Sequence, residues 1–131
     1  MDSNSQVVVD FLIAMLPVRQ ALDDLLRQLY RRAEVKLVHT YAVEVSPSPD
    51  FGLSADLHNG AVVDFWLELT FERECWQLEY SVQRHDPDED GSHAEKSFPP
   101  QSVRSAQDLP MTLINAIREL ERASGDDTLY R

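Results

Sequence analysis

The sequence predicts an α+β fold, in which an N-terminal and a C-terminal helix pack on one face of an antiparallel meander of three to four strands. Two patterns carry this prediction. Apolar residues recur at three- and four-residue steps near both ends of the chain, which is typical of helices with one buried face. In the middle of the chain they alternate with polar residues, as in strands with one buried face.

A hairpin over Ala61–Val82 has the clearest alternation. A two-residue loop at Arg73–Glu74 or a four-residue loop from Glu72 to Cys75 folds its second strand back on the first, and both give the same register. Burial fixes the register, because a shift by one residue would turn the apolar side chains of one strand toward water. The predicted cross-strand pairs are Phe71–Trp76, Leu69–Leu78, Leu67–Tyr80 and Phe65–Val82.

The N-terminal helix is predicted from Gln6 to about Arg32. Pro17 lies inside this pattern, and proline lacks the backbone donor that a helix interior uses, so we expect a kink or a break just before it. Two shorter helices, or a strand over the segment VVVDFL, are the alternatives. The apolar stripe of the helix consists of Phe11, Met15, Val18, Leu22, Leu25, Leu26 and Leu29.

A second strand is predicted over Glu34–Val45, with every other residue from Val35 onward facing the core. This phase places His39 among apolar neighbours, where a histidine with one satisfied hydrogen bond is commoner than a metal ligand or a catalytic base. The following residues, 46–60, are rich in Pro, Ser, Gly and Asp and predict a long loop, in which SADLH forms a short turn or an edge strand.

After the hairpin, the chain is predicted to leave the sheet, form an acidic tip at Asp86–Gly91 and return as a short strand near Ala94–Phe98. The C-terminal helix follows, with Ser105 or Asp108 as its cap, Pro110 in its first turn and Gly125 at its end. We expect one domain over residues 1–131, with flexible tails at 1–5 and 126–131.

The amino-acid composition disfavours several classes of function. The formal net charge is −11 and the basic residues are scattered, which disfavours binding to nucleic acid or to anionic membranes. The single cysteine, Cys75, excludes an internal disulfide. The apolar run Val7–Leu16 is too short to cross a bilayer and no secretory signal is evident, so a cytoplasmic location is expected.

The sequence contains none of the common nucleophile, phosphate-binding or metalloprotease motifs, so we expect neither an enzyme nor a bound cofactor. The acidic tip matches the opening of a calcium-binding loop, but the twelfth position is Ser97 instead of glutamate. The weak candidates for metal ligands are His85, Asp86, Asp88 and His93.

The polar face of the central hairpin is the candidate partner-binding surface. An aromatic side chain, Trp66, is predicted to stand there between carboxylates, and Glu68 lies opposite Glu79. An aromatic anchor surrounded by acids suits a partner rich in Arg and Lys. The candidate residues are Asp64, Trp66, Glu68 and Glu79. The alternative for Trp66 is that a helix or the 46–60 loop covers it.

The N-terminal helix offers a second surface. The segment before Pro17 is apolar nearly all round, and one buried face cannot account for so many apolar residues. We therefore predict a homodimer interface that contains Val8, Val9, Leu12 and Ile13.

Together these observations predict a small acidic protein-binding module that acts on a basic partner. Its size and charge are similar to those of bacterial immunity proteins, which block a basic toxin domain, and of acidic secretion chaperones; the similarity is compositional and carries over no residues. The alternatives are a small-molecule or metal-binding regulatory domain at the His85–His93 tip and the 46–60 loop, and a purely structural homodimer.

Overall fold

The computed structural model describes residues 3–43, 50–88 and 93–131. It confirms the α+β prediction, with helices at both ends of the chain packed on one face of an antiparallel sheet. The elements in chain order are α1 (Ser3–Tyr30), β1 (Val35–Val43), β2 (Asp50–Leu57), β3 (Val62–Glu72), β4 (Cys75–His85), β5 (His93–Ser97), β6 (Gln101–Val103), α2 (Leu109–Ala123) and a short 3₁₀-helix (Asp127–Tyr130).

The sheet is a meander in the order β1-β2-β3-β4-β5, and β6 also pairs with β4. Because β3 occupies one edge of β4, the strands β5 and β6 share its other edge, one after the other. Residues 3–43, 50–88 and 93–131 therefore contain six strands instead of the predicted three to four. The two additional strands are β2, for which the sequence predicts a loop, and β6, which is only three residues long.

The central hairpin has the predicted register in all four of its apolar pairs, from Phe71–Trp76 to Phe65–Val82. Its two-residue turn holds Arg73 and Glu74 at φ values of 52° and 61°. Such left-handed residues favour glycine or asparagine, and a pair of them matches the twist of the flanking strands. The strain is sustained because each strand is 11 residues long and its apolar face is buried.

The core lies between one face of the sheet, called here the inner face, and the two helices. α1 packs against β1 and β2, while α2 packs against β4 and alongside α1. Phe65, Leu67 and Leu78 on the sheet are fully buried, as are Leu25 on α1 and Ile117 on α2. The opposite, outer face of the sheet receives neither helix, so the two faces meet different environments.

β2 corrects the prediction of a long loop over 46–60 in its described part: the alternative of a strand over SADLH is confirmed in part, although this strand is longer and does not lie at the sheet edge. Its residues alternate between the core (Leu53, Ala55, Leu57) and the outer face (Ser54, Asp56). The alternation is present in the sequence, but glycine, serine and aspartate occupy the outer positions and imitate the composition of a loop. β2 lies inside the sheet, between β1 and β3.

β1 corrects the predicted phase of the first strand. The pairing with β2 is irregular between Val35 and Leu37, and this bulge reverses which residues face the core. Val38 is consequently buried and Leu37 is exposed. His39 lies on the outer face instead of in the core, and its ring Nε2 is 2.9 Å from a carboxylate oxygen of Asp56.

α1 continues through Pro17, so the helix does not break there, and the alternatives of two shorter helices and of a strand over VVVDFL are wrong. Pro17 is exposed, as is Ile13, whose carbonyl loses its helical partner at this point. Water can satisfy that carbonyl, so the proline does not force the helix to end. Asp108 occupies the N-cap position of α2, where its side chain makes no capping hydrogen bond, and Pro110 lies in the first turn.

The segment 126–131, predicted as a polar tail, instead folds back on the domain. Leu129 and Tyr130 of the 3₁₀-helix are buried. Arg84 of β4 donates to the backbone carbonyls of Leu129 and Arg131 at 2.7 and 2.6 Å. The guanidinium of Arg32 lies 3.9 Å from the centre of the Tyr130 ring. Two buried side chains and the arginine contacts hold a segment that composition alone marks as tail.

Tyr130 predicts a loss of stability at high pH. Its hydroxyl donates to the carbonyl of Ser124 at 2.6 Å, and burial of the phenol raises its pKa from 10.0 to about 12. The folded state therefore favours the protonated form, so this contribution is complete below pH 10 and is lost as the pH rises toward 12. We expect the loss to be about 1–2 kcal/mol after allowance for solvent screening.

The measurement is urea unfolding on both sides of this pH range. Tyr130→Phe is the matched control, because it keeps the ring and removes the titrating hydroxyl. The same decline of the unfolding free energy in both proteins would show that Tyr130 does not cause it.

Candidate protein-binding face

The outer face of β3 and β4 carries the predicted partner-binding residues. Side chains alternate along a strand, so the burial of Phe65 and Leu67 forces their neighbours on β3 to the opposite side. Asp64, Trp66 and Glu68 thus lie on one face, and the register with β4 brings Glu79 onto the same face. The structure brings together all four residues.

Neither helix covers this face. The buried core cluster contains the inner-face residues of the sheet with residues of α1 and α2, and none of the four partner-binding candidates belongs to it. Glu79 is exposed, while Asp64, Trp66 and Glu68 are half-buried. The part of the 46–60 segment that the structure describes does not cover Trp66 either, because residues 50–57 are a strand of the same sheet.

Carboxylates meet across the strands of this face. Glu68 lies directly opposite Glu79 in the register of β3 and β4. Like charges at opposed positions of a ladder repel each other and cost stability. Glu79 forms no ion pair within the described residues, so its negative charge is open to a partner. The row of acids therefore gives the middle of the outer face a negative potential.

A shallow depression of about 220 Å³ adjoins Trp66. Its walls include the side of β4, with Glu79 and Ser81, and the end of β5 at Ser97 and Phe98. The aromatic ring of Phe98 stacks on that of Tyr80, with centroids 4.8 Å apart. The Phe98 ring therefore lies on the inner side with Tyr80, and the depression on the outer face combines an indole with a carboxylate. These are the groups that hold an arginine or lysine side chain, through stacking and ion pairing together.

Two histidines contact carboxylates at the margin of the face. The ring Nε2 of His85 is 3.0 Å from a carboxylate oxygen of Asp64, just as His39 contacts Asp56. Each contact occupies one oxygen of its carboxylate. The face remains acidic, although Asp64 is less available to a partner than the exposed Glu79.

The weak metal candidates do not form one group in the described residues. His85 contacts Asp64 on the outer face, while Arg84 donates to the carboxylate of Asp86 at 2.9 Å. His93 lies opposite Arg84 in the β4–β5 register and not opposite His85. Asp88 is exposed, and residues 89–92 of the acidic tip lie outside the described part of the chain. Within that part, no three His, Cys, Asp or Glu side chains come together as ligands of one ion.

The candidate dimer interface lies on the first half of α1. Ile13 is 58% exposed and Leu16 is 63% exposed. The two residues are three positions apart and so lie on the same side of the helix. The side chains of Val8, Val9 and Leu12 lie outside what the structure describes, although their backbone is helical. The exposure of these two side chains does not test whether the protein dimerises, so the homodimer stays a prediction.

Two features of the surface could not be found by sequence reasoning. The depression beside Trp66 depends on where β5 ends against β4, which is a contact between distant parts of the chain. A larger depression of about 530 Å³ lies at the β3–β4 turn, where Glu72 and Glu74 face Arg73 and Arg104. Its charges are mixed, so they indicate no class of ligand. The thiol of Cys75 is directed there at the carbonyls of Trp76 and Val103.

Searches with this chain against protein-family models, curated proteins and solved structures find no match. Among the described helices, none combines the length and the apolar character that crossing a membrane requires.

Proposed function

We propose that this protein is a protein-binding module that uses the outer face of β3 and β4 to hold a basic partner. One observation supports this more than any other: Trp66, Glu68 and Glu79 share a sheet face on which neither helix packs. A sheet in a single domain commonly keeps one face for solvent. Solvent alone does not require a half-buried tryptophan next to a row of opposed carboxylates.

The chemistry of the face specifies the partner. Carboxylates from two strands attract Lys and Arg side chains, and the net charge of −11 extends this attraction beyond contact distance. The depression beside Trp66 accepts the end of one such side chain between the indole and Glu79. The partner therefore presents a basic surface with at least one protruding arginine or lysine, as the target of an immunity-type inhibitor or the client of an acidic secretion chaperone would.

The opposition of Glu68 and Glu79 supports a binding role on energetic grounds. A pair of like charges costs the free protein some stability, and a cationic partner relieves that cost on binding. The acids thus contribute more in the complex than in the isolated protein. This difference separates a binding face from a face whose charges serve solubility alone.

Affinity capture tests the proposal. The immobilised protein is exposed to a lysate of its source cells at low salt, and bound proteins are released with a salt gradient and identified by mass spectrometry. We expect basic proteins that elute at moderate salt, because screening weakens exposed ion pairs. Capture of neutral or acidic proteins alone, or elution that does not depend on salt, would count against a basic partner.

A further inference from the structure

β1 is the edge strand of the sheet, and β2 is its partner on one side. In the described part of the chain no strand pairs with its other side. An unpaired strand edge is a template for a further strand, and proteins usually block such edges or use them for binding. The nine residues of β1 make this edge long enough for either use.

The hydroxyl of Tyr30 blocks the edge at one point. It accepts a hydrogen bond from the backbone N–H of Val38 at 3.2 Å and donates to the carbonyl of the same residue at 3.3 Å. Both groups of Val38 therefore point away from β2, toward the free edge. Tyr30 fills the position that the backbone of an added strand would take, and so sets one end of the available edge.

Beyond Val38 the edge is open to a partner. In an antiparallel ladder, residues whose backbone groups point to the same side recur at every second position. The N–H and C=O groups of Thr40 and Ala42 therefore point to the same side as those of Val38. No hydrogen bond to them is formed there by the residues that the structure describes. The edge therefore offers two successive positions at which an added strand can form backbone hydrogen bonds.

A groove that is mostly apolar, with Arg19 and Asp23 of α1 also among its lining residues, adjoins this stretch of the edge. It has a volume of about 480 Å³ and lies between α1 and the inner face of the sheet. Thr40 lines it together with Leu22 and Leu26 of α1 and Phe51 and Leu53 of β2. Side chains of directly opposed residues share a face of the sheet. The residue of an added strand opposite Thr40 would consequently direct its side chain to the side where the groove lies.

We propose that the edge of β1 at Thr40–Ala42 binds an extended peptide segment as an added strand, with apolar side chains of the segment in the groove. Backbone hydrogen bonds to the edge supply affinity, and the groove selects an apolar residue at every second position. This is a second binding surface, separate from the outer face of β3 and β4, and it does not require the proposed function of that face.

Charge decides between a peptide and a second copy as the occupant. Two copies of a chain with net charge −11 repel each other, whereas a cationic segment is attracted. The residues of an added strand that alternate with the apolar ones point to the outer face, where the negative net charge of the protein favours cationic side chains. The segment that fits best thus alternates apolar residues with lysine or arginine.

The test uses a fluorescein-labelled peptide of alternating valine and lysine, with binding followed by fluorescence anisotropy. Thr40→Pro removes the outward N–H and is compatible with an edge strand, while Thr40→Val is the matched control that keeps it. We expect Thr40→Pro to weaken binding at least about tenfold, and Thr40→Val to leave it unchanged within about twofold.

Modified peptides test the same bond without changing the protein. In the proposed register the valine N–H groups face β1 and the lysine N–H groups face solvent. N-methylation of the valines should abolish binding, and N-methylation of the lysines should preserve it. Equal binding of the two methylated peptides, or no binding of the unmodified one, would overturn the proposal.

Sedimentation of the wild type and of Thr40→Pro tests whether a second copy of the chain, instead of a peptide, occupies the edge. A dimer that the proline variant converts to monomer would assign the edge to a second copy and contradict the peptide assignment. Glu68→Lys/Glu79→Lys separates this site from the outer face: the peptide should still bind that variant with the same difference between methylated forms, whatever happens to capture of the basic partner.

Discussion

Glu68→Lys/Glu79→Lys should weaken binding of the basic partner at least about a hundredfold, which corresponds to roughly 2.7 kcal/mol. The two residues face each other at the centre of the outer face, so the double change converts its strongest negative potential into a positive one. A cationic partner then meets repulsion where it met attraction. The expected result is loss of capture at any salt concentration that preserves wild-type binding.

The stability of this variant should stay close to that of the wild type. Replacing two opposed glutamates by two opposed lysines exchanges one like-charge pair for another, so the repulsion across the ladder is similar. Glu79 is exposed and Glu68 half-buried, and neither belongs to the core. Unchanged thermal unfolding would show that any loss of capture comes from the surface.

A matched control separates local charge from net charge. Asp88→Lys/Glu95→Lys changes two exposed acids outside the outer face and alters the net charge by the same amount. We expect this variant to retain capture with a modest reduction, since only the long-range attraction is weakened. If both double variants lost capture equally, net charge would suffice and the face would have no specific role.

Phe65→Ala should destabilise the protein by about 3–5 kcal/mol, which is a large share of the roughly 5–15 kcal/mol of a typical domain. Phe65 is completely buried on β3, where it lies opposite Leu53 of β2 and Val82 of β4. Truncation leaves a cavity at the centre of the sheet, beneath the helices, and the three strands cannot all move to fill it.

Urea unfolding followed by circular dichroism measures this loss. Phe71→Ala is the control, because it removes the same side chain from the same strand at a position that is 51% exposed. Its ring contacts Trp76 with centroids 4.8 Å apart, so we expect a loss of about 1 kcal/mol. Comparable losses in the two variants would mean that the core is not centred where the structure places it.

Local patterns predict the parts of the fold that neighbouring segments determine. The register of the central hairpin follows from the sequence because both strands are adjacent along the chain and each buries one face. The same alternation is sufficient to place Trp66, Glu68 and Glu79 on one face of the sheet. Which face the helices cover does not follow from it, because that depends on packing between the ends of the chain.

The errors occur where the structure depends on more than the local pattern of residues. One bulge near Val35 reverses the phase of β1 and moves His39 from the predicted core to the outer face. In β2 the polar residues of a strand have the composition of a loop. At the C-terminus, two apolar residues, Leu129 and Tyr130, are too few for a periodic pattern, and arginines from distant positions hold them. Contacts between distant residues determine each of these features.

The two tryptophans of the chain allow the most direct test of the binding face. Trp66 lies on the outer face, whereas Trp76 packs against the core at the far end of the hairpin. Titration of the isotope-labelled protein with the captured partner, followed by NMR of the two indole N–H resonances, distinguishes the faces. We predict that the Trp66 resonance shifts with partner concentration while that of Trp76 stays in place. A shift of Trp76 alone, or of neither indole in a complex that has demonstrably formed, would contradict the assignment of the acidic face as the surface that holds the partner.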